Sequence, residues 1–241
     1  PPIWRKTLAA REFGLIFDSD PSLVLKAVRL NSEIQALELI DLGINVNCSP
    51  VADLAWPDTH AVIGDRAFAN DPKVVSVLAH EVCEGYLSKG ILPIVKHIPG
   101  HGRAMADSHK ELPEVNTGRN DLRKIDFVPF RHLCHMPAAM TAHIVYAAFD
   151  KKVPGTLSKT VINDVIRNDI GFDGLLFSDD IGMRALTGGF AERAHGALNA
   201  GCDVVLHCSG NLDEMVAVAN GVEPMATAAM KRLYYARKAC S

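Results

Sequence analysis

The chain has 241 residues, of which 48% are hydrophobic and 22% are charged, and its formal net charge is −3. This balance is typical of a globular protein with a large core. It shows no basic excess that would favour nucleic acid and no apolar run long enough to span a membrane. Six cysteines are scattered without a CxxC pair, and no segment resembles a signal peptide, so we expect reduced thiols and a cytoplasmic location.

Predicted helices and strands alternate along the chain, because segments with apolar residues at helical spacing alternate with short apolar runs. We expect helices at 22–43, 71–90, near 118–133, 157–171, 190–201, near 211–220 and near 224–239. We expect strands at 44–51, 91–97, 138–146, 173–180 and 202–209. This alternation predicts an α/β fold with a parallel sheet, and no linker divides residues 1–241, so we expect one domain.

The predicted architecture is a (β/α)8 barrel of the TIM type. No strand is followed by the GxGxxG fingerprint of a dinucleotide-binding sheet. Polar residues such as Asp53, His143 and His207 come where strands end, which is where barrel enzymes build their sites. A complete barrel needs eight strands and about 250 residues, whereas five strands are predicted here. The chain also opens with PPIW, so we expect its N-terminal three strands to be absent; an open five-stranded sheet is the alternative.

Three histidines and an aspartate crowd the segment 95–109. His97, His101 and His109 could bind a metal, but Pro99, Gly100 and Gly102 lie between them and exclude the helix on which i and i+4 histidines share a face. An acid–base site is the second reading, because Asp107 could orient His109 and stabilise its charged form. An ordinary polar loop is the third. Zinc binding through cysteines lacks the usual ligand spacing, and we expect no metal or cofactor.

Three further residues are candidates for one pocket. Asp179 ends the apolar run LLFSDD, so its carboxylate could attack an anomeric carbon, although an N-cap role is the alternative. Asp180 should face away, since adjacent strand residues point in opposite directions. Arg66 could bind sugar hydroxyls or form a surface ion pair. His143 could line the pocket or be a core histidine whose hydrogen bonds are satisfied.

Taken together, these motifs resemble a known family. The resemblance is carried by IGDRAF (63–68), KHIPGHG (96–102), DSH (107–109) and GFDGLLFSDDIGM (171–183). In this order and spread over the chain, they resemble the bacterial β-N-acetylhexosaminidases of glycoside hydrolase family 3, of the muropeptide-recycling type. That resemblance implies a single (β/α)8 barrel that removes terminal β-linked N-acetylglucosamine with retention of configuration.

The resemblance also implies roles for individual residues. Asp179 is then the nucleophile, and His109, paired with Asp107, is the proton donor and acceptor. Three further residues, Arg66, Lys96 and His97, then bind sugar hydroxyls.

Two departures from the family pattern, Ile98 for Phe and Gly182 for Ser, do not touch the chemistry. A third departure is larger, because the family's DQEGGR-like sugar-binding segment has no counterpart here. We therefore expect a monomeric exo-β-N-acetylglucosaminidase that acts on small-molecule muropeptides and binds neither nucleic acid nor membrane. The alternatives are an inactive barrel that serves as a sugar-binding scaffold, a family relative with β-glucosidase activity, and a metal-dependent hydrolase.

Overall fold

Parallel strands form the centre of the fold in the computed structural model, which describes residues 5–56, 63–104 and 111–241. Each paired strand is parallel to its neighbour. In chain order the strands are β1 (Val46–Asn47), β2 (Leu92–Pro93), β3 (Val95–Ile98), β4 (Glu114–Val115), β5 (Ala138–Thr141), β6 (Val145–Tyr146), β7 (Leu175–Asp180) and β8 (Val204–Leu206).

Six of the eight strands follow one another in the order in which they occur in the chain, whereas β4 and β6 pair with each other. β1 pairs with β2, and β3, β5, β7 and β8 pair in that sequence. Only Ile94 separates β2 from β3, and a bridge between Val51 and Lys96 continues the first strand alongside β3. The five predicted strand positions are therefore present, in the order and parallel sense of consecutive units of a (β/α)8 barrel.

Helices connect the strands and contact the sheet, as α3, α6 and α8 do with β2, β8 and β7. Asp20 and Asp71 accept the N–H groups of Leu23 and Lys73 and so cap the two longest helices, each of which begins with proline. Gly201 ends α6 with a φ of 119°, a left-handed conformation that favours glycine. The α-helices of the described residues are α1 (Ala10–Ile16), α2 (Pro21–Ile40), α3 (Pro72–Leu87), α4 (Arg119–Asp121), α5 (Val128–His132), α6 (Phe190–Ala200), α7 (Leu212–Ala219) and α8 (Thr227–Lys238).

Two predicted helices are irregular in the structure. The helix expected near 118–133 consists of α4, a π-helical segment (Leu122–Asp126) and α5. Pro129 stands in the first turn of α5 and has no N–H to donate, which explains why one helix does not continue through it. The helix expected at 157–171 is π-helical over Val161–Asp169.

The strand predicted at 138–146 is divided. β5 ends at Thr141, and β6 pairs with β4 instead of with the central sheet. The residues between them, including His143, are fully buried. His143 therefore follows the end of a sheet strand, as the sequence predicts.

The core joins strand residues to aromatic side chains from the surrounding elements. Tyr86, Phe127, Phe130, Tyr146 and Phe172 are almost completely buried and belong to one cluster with apolar residues of the strands. Burying one large apolar side chain contributes about 1.5–3 kcal/mol to stability. This packing makes the sheet a rigid support for side chains at the strand ends.

Each end of the strand order carries exposed apolar side chains. Within the described residues, β1 and β8 each pair on one side only. On α2, Leu30 is 58% and Leu37 is 51% exposed, and on α7 and α8, Val216 is 53% and Tyr234 is 62% exposed. This agrees with the expectation that an unclosed barrel exposes two strand edges and part of its apolar surface.

Candidate active site

The carboxyl ends of the parallel strands bring four polar side chains to one end of the sheet. Asp53 follows the first strand position, His97 lies in β3, His143 follows β5, and Asp179 lies near the end of β7. All four are buried. Because functional groups of parallel α/β folds gather at this end of the sheet, we take these residues as the centre of a candidate active site.

Asp179 is a buried carboxylate in a polar surrounding. Its Oδ1 accepts the N–H of Asp180 at 2.8 Å, and its Oδ2 lies 4.0 Å from His97 Nε2. Burial alone would raise the pKa of Asp179, but the charges of His97 and His143 and the Asp180 amide hold it below its usual range. The carboxylate is therefore ionised at neutral pH, the state that a nucleophile requires.

Asp180 points away from this carboxylate, as adjacent positions on a strand require. Its Oδ1 accepts the N–H groups of Gly182 at 2.8 Å and Cys208 at 3.2 Å. The same oxygen lies 3.6 Å from His207 Nδ1, and His207 Nε2 is 3.0 Å from Glu214 Oε2. Asp180 and His207 therefore tie the chain after β7 to the end of β8, and neither contacts Asp179 through its side chain.

His97 stands between Asp179 and a second buried carboxylate. His97 Nδ1 donates to Asp53 Oδ2 at 2.7 Å, and Asp53 Oδ1 accepts the N–H of His101 at 2.7 Å. Burial would raise the pKa of Asp53, but the charge and hydrogen bond of His97 and the backbone N–H of His101 hold it below its usual range. The three side chains therefore lie in the order Asp53 carboxylate, His97 imidazole and Asp179 carboxylate.

His101 is buried beside His97 without being charged. The two rings meet edge to face with centroids 5.4 Å apart, and His101 Nδ1 is buried without a hydrogen-bond partner among the described residues. Burial, together with the charge of His97, lowers the pKa of His101 to about 4. This imidazole is therefore neutral at neutral pH and lends no positive charge to the site.

His143 is a core histidine with both ring nitrogens in hydrogen bonds. Nε2 lies 2.9 Å from the Asp180 carbonyl oxygen, which can only accept, so Nε2 carries the hydrogen. Nδ1 lies 2.8 Å from Thr156 Oγ1, which is 2.8 Å from Thr141 Oγ1. Burial lowers the pKa of His143. Of the two sequence interpretations, the structure favours the satisfied core histidine, although the ring also holds the backbone beside Asp179.

Lys96 and Arg66, two of the predicted sugar-binding residues, line one cavity. The cavity also reaches Cys48, Val51 and Phe68. Lys96 is half-buried and Arg66 is exposed at the end of a 3-10 turn. Neither Asp179 nor His97 lines this cavity. Lys96 nevertheless helps to lower the pKa of Asp179 through its charge, after larger effects of burial and of His97 and His143.

The predicted acid–base pair, Asp107 and His109, lies outside the described residues. The chain leading to it is anchored by Arg103, whose Nε donates to both carboxylate oxygens of Asp126 at 2.9 and 2.8 Å. The Arg103 guanidinium also lies 4.1 Å from the centroid of the Trp56 ring. Among the residues that the structure describes, no three His, Cys, Asp or Glu side chains are arranged to hold a metal ion.

Comparison with known proteins assigns the fold to a family. Residues 7–235 match the family model described as "Glycosyl hydrolase family 3 N terminal domain". The chain belongs to glycosyl hydrolase family 3. A curated relative from Nitrosomonas eutropha, named Beta-hexosaminidase, is 40% identical over 203 residues, which are 83% of this chain and 58% of that protein.

Solved structures of the family agree with the fold. The structure of NagZ from Neisseria gonorrhoeae in complex with N-trifluoroacetyl-D-glucosamine has a TM-score of 0.88 and 34% identity, and the match covers all of this chain and 71% of that one. A family 3 β-N-acetylglucosaminidase from Paenibacillus sp. str. FPU-7 has a TM-score of 0.87 and 29% identity, with 97% of this chain and 46% of that one covered. The predicted α/β barrel class is confirmed. The chain spans somewhat more than half the length of the curated relative above.

From the sequence alone, Asp53 was identified only as a polar residue at the end of a predicted strand. In the structure it holds His97 and His101 and is 1% exposed. A usable signal was available, because an aspartate that directly follows a buried strand in a parallel fold is seldom left without a partner. The roles predicted for Asp179, His97, Lys96 and Arg66 remain predictions with a geometry that permits them.

Proposed function

We propose that the protein is a retaining exo-β-N-acetylglucosaminidase that removes terminal N-acetylglucosamine from peptidoglycan (muropeptide) fragments in cell-wall recycling. The observation that carries this proposal is the carboxylate of Asp179, buried and ionised, beside His97 at the end of β7. A carboxylate held there on a rigid strand can attack the anomeric carbon of a sugar.

In the proposed reaction, Asp179 attacks the anomeric carbon while the bond to the leaving oxygen breaks and His109 protonates that oxygen. His109 then takes a proton from water, whose oxygen attacks the anomeric carbon and releases Asp179 as a carboxylate. Two displacements retain the configuration. Asp107 would orient His109, and the cations of Lys96 and Arg66 would bind hydroxyls of the sugar.

The names of relatives support the substrate class. The curated relative from Nitrosomonas eutropha is named Beta-hexosaminidase, and the NagZ structure from Neisseria gonorrhoeae holds an N-acylated glucosamine.

The cytoplasmic location and the monomeric state stay predictions from the sequence. No helix in the described part of the chain combines the length and apolar character needed to cross a bilayer.

Replacing the nucleophile gives the direct test. Asp179→Ala should abolish turnover of an aryl N-acetyl-β-glucosaminide, because no carboxylate remains to form the glycosyl-enzyme. Asp180→Asn is the matched control, since its amide oxygen can still accept the Gly182 and Cys208 amides and most activity should survive. Equal activity of both variants would contradict the assignment, and proton NMR of the first-formed anomer would test retention.

The proton donor has its own test. His109→Ala should slow substrates with poor leaving groups far more than those with activated leaving groups, because only poor leaving groups need protonation. Equal losses for both would argue against that role.

The first alternative is a sugar-binding scaffold without activity. That alternative predicts binding of N-acetylglucosamine by the wild-type chain without turnover of any aryl glycoside. Turnover of an aryl β-glucoside in preference to the N-acetylglucosaminide would instead indicate the β-glucosidase reading.

A further inference from the structure

Asp53 gathers three hydrogen-bond donors on one buried carboxylate. Its Oδ1 accepts the N–H of His101 at 2.7 Å, and its Oδ2 accepts Nδ1–H of His97 at 2.7 Å. The backbone N–H of His97 lies 3.2 and 3.3 Å from the two oxygens. All three donors come from one seven-residue stretch, KHIPGHG, although Asp53 belongs to the preceding unit of the fold.

We propose that Asp53 is a positioning residue that fixes the tautomer of His97. Because a carboxylate only accepts, Nδ1 of His97 must carry a hydrogen. When His97 is neutral, its Nε2, the atom that lies 4.0 Å from Asp179 Oδ2, is therefore unprotonated. That nitrogen can accept a hydrogen bond from a sugar hydroxyl beside the reacting carbon. This role rests on the function proposed above.

The geometry explains why the residue is an aspartate and not an asparagine. Two of the three donors are backbone N–H groups of His97 and His101, which can only donate hydrogen bonds. An asparagine at position 53 would have to turn its oxygen toward them and its NH2 toward Nδ1. Nδ1 would then become an acceptor, and the hydrogen would move to Nε2. An exchange of tautomer with the shape unchanged is known to cost serine proteases most of their activity when the aspartate of their triad becomes asparagine.

Charge supports the same assignment. Burial would raise the pKa of Asp53, but the charge and hydrogen bond of His97 and the backbone N–H of His101 hold it below its usual range, so it remains a carboxylate at neutral pH. The titratable groups that face this carboxylate are His97, His101 and Tyr146. Tyr146 is included because the charge of Asp53 contributes to raising the pKa of its phenol. None of them supplies a second acceptor to Nδ1 of His97, whose hydrogen bond among the described residues goes to Asp53.

The test compares two buried aspartates, Asp53→Asn and Asp203→Asn. Asp203 also accepts a backbone N–H, from Leu176, and it pairs with Arg167 and Arg232. The control should therefore lose stability without affecting the active site. Asp53→Asn should lower kcat/KM for an aryl N-acetyl-β-glucosaminide by about 10²-fold or more and change the pH profile. Asp203→Asn should leave the profile of the folded enzyme unchanged.

Nitrogen-15 NMR of the His97 ring provides a readout that does not depend on activity, and His97→Gln assigns the signal. The wild type should show a protonated Nδ1, and Asp53→Asn should show a protonated Nε2. A wild-type spectrum with Nδ1 unprotonated would overturn the proposal, even if Asp53→Asn did not fold. An unchanged tautomer in a folded Asp53→Asn would do the same. If the wild-type chain has the expected tautomer and no glycosidase activity, the proposed function fails and the tautomer assignment stands.

Discussion

The buried, neutral His101 predicts a specific loss of stability in acid. Its pKa is lowered to about 4 from the ordinary value of 6.5. Between these values the unfolded chain binds a proton on this residue and the folded chain does not, so the free energy of unfolding must fall as the pH falls. At about 1.4 kcal/mol per pKa unit, the full effect is about 3 kcal/mol. It is absent near pH 7 and nearly complete near pH 4.

The measurement is urea unfolding followed by circular dichroism near pH 7 and near pH 4.5, for the wild type and for His101→Phe. Phenylalanine keeps a ring against His97 and cannot titrate, and within the described part of the chain Nδ1 of His101 has no hydrogen bond to lose. The variant can differ in stability at both pH values without affecting the argument, which concerns only the change between them. Other histidines with lowered pKa, such as His143, contribute equally to both proteins.

Between the two pH values the wild type should lose about 2–3 kcal/mol more than His101→Phe. Parallel losses, equal to within about 0.5 kcal/mol, would show that His101 takes up its proton in the folded protein as readily as in the unfolded one. The burial argument for this residue would then be wrong, and so would the neutral imidazole beside His97.

Two other predictions concern the segment that leads from β3 toward Asp107 and His109. Gly102→Ala would place a Cβ 2.3 Å from a backbone carbonyl oxygen, so it should destabilise the protein by about 2 kcal/mol or more in thermal or urea unfolding. In the control Gly118→Ala, the new Cβ meets no atom of the described residues within 4 Å, so the loss of stability should be much smaller. Arg103→Ala leaves the buried Asp126 carboxylate without its cation and should cost about 3 kcal/mol; adding Asp126→Asn should recover part of that loss, and a double mutant with additive losses would contradict the pairing.

The order of the fold could be predicted because its signals are local. Apolar runs ended by polar residues marked each of the five strand positions, and Asp20, Asp71 and Gly201 marked helix ends by their own chemistry. The break at Pro129 could also have been expected from the sequence. The division of the strand at 138–146 could not, because it depends on β6 pairing with β4, which is distant in the chain.

The site was predictable in its residue types and much less in its connections. Asp179, His97 and Lys96 were singled out because they stand at strand ends and match a family motif. The contact from Asp53 to His97 spans 44 positions, and nothing local in either segment indicates it. His101 was considered as a metal ligand or an ordinary loop residue, whereas the structure buries it as a neutral ring.

The site places two ionised carboxylates, Asp53 and Asp179, on either side of one imidazole, and this arrangement divides the work between them. Both carboxylate oxygens of Asp53 accept hydrogen bonds from His97 and His101, so Asp53 cannot act as a nucleophile. Asp179 accepts only its neighbour's amide in the described residues, which leaves an oxygen free to react. A third carboxylate as proton donor would have to hold its proton close to two negative charges. The imidazole of His109, the proton donor proposed above, has no negative form at ordinary pH to be repelled, so a histidine in that role would suit a centre that is already anionic.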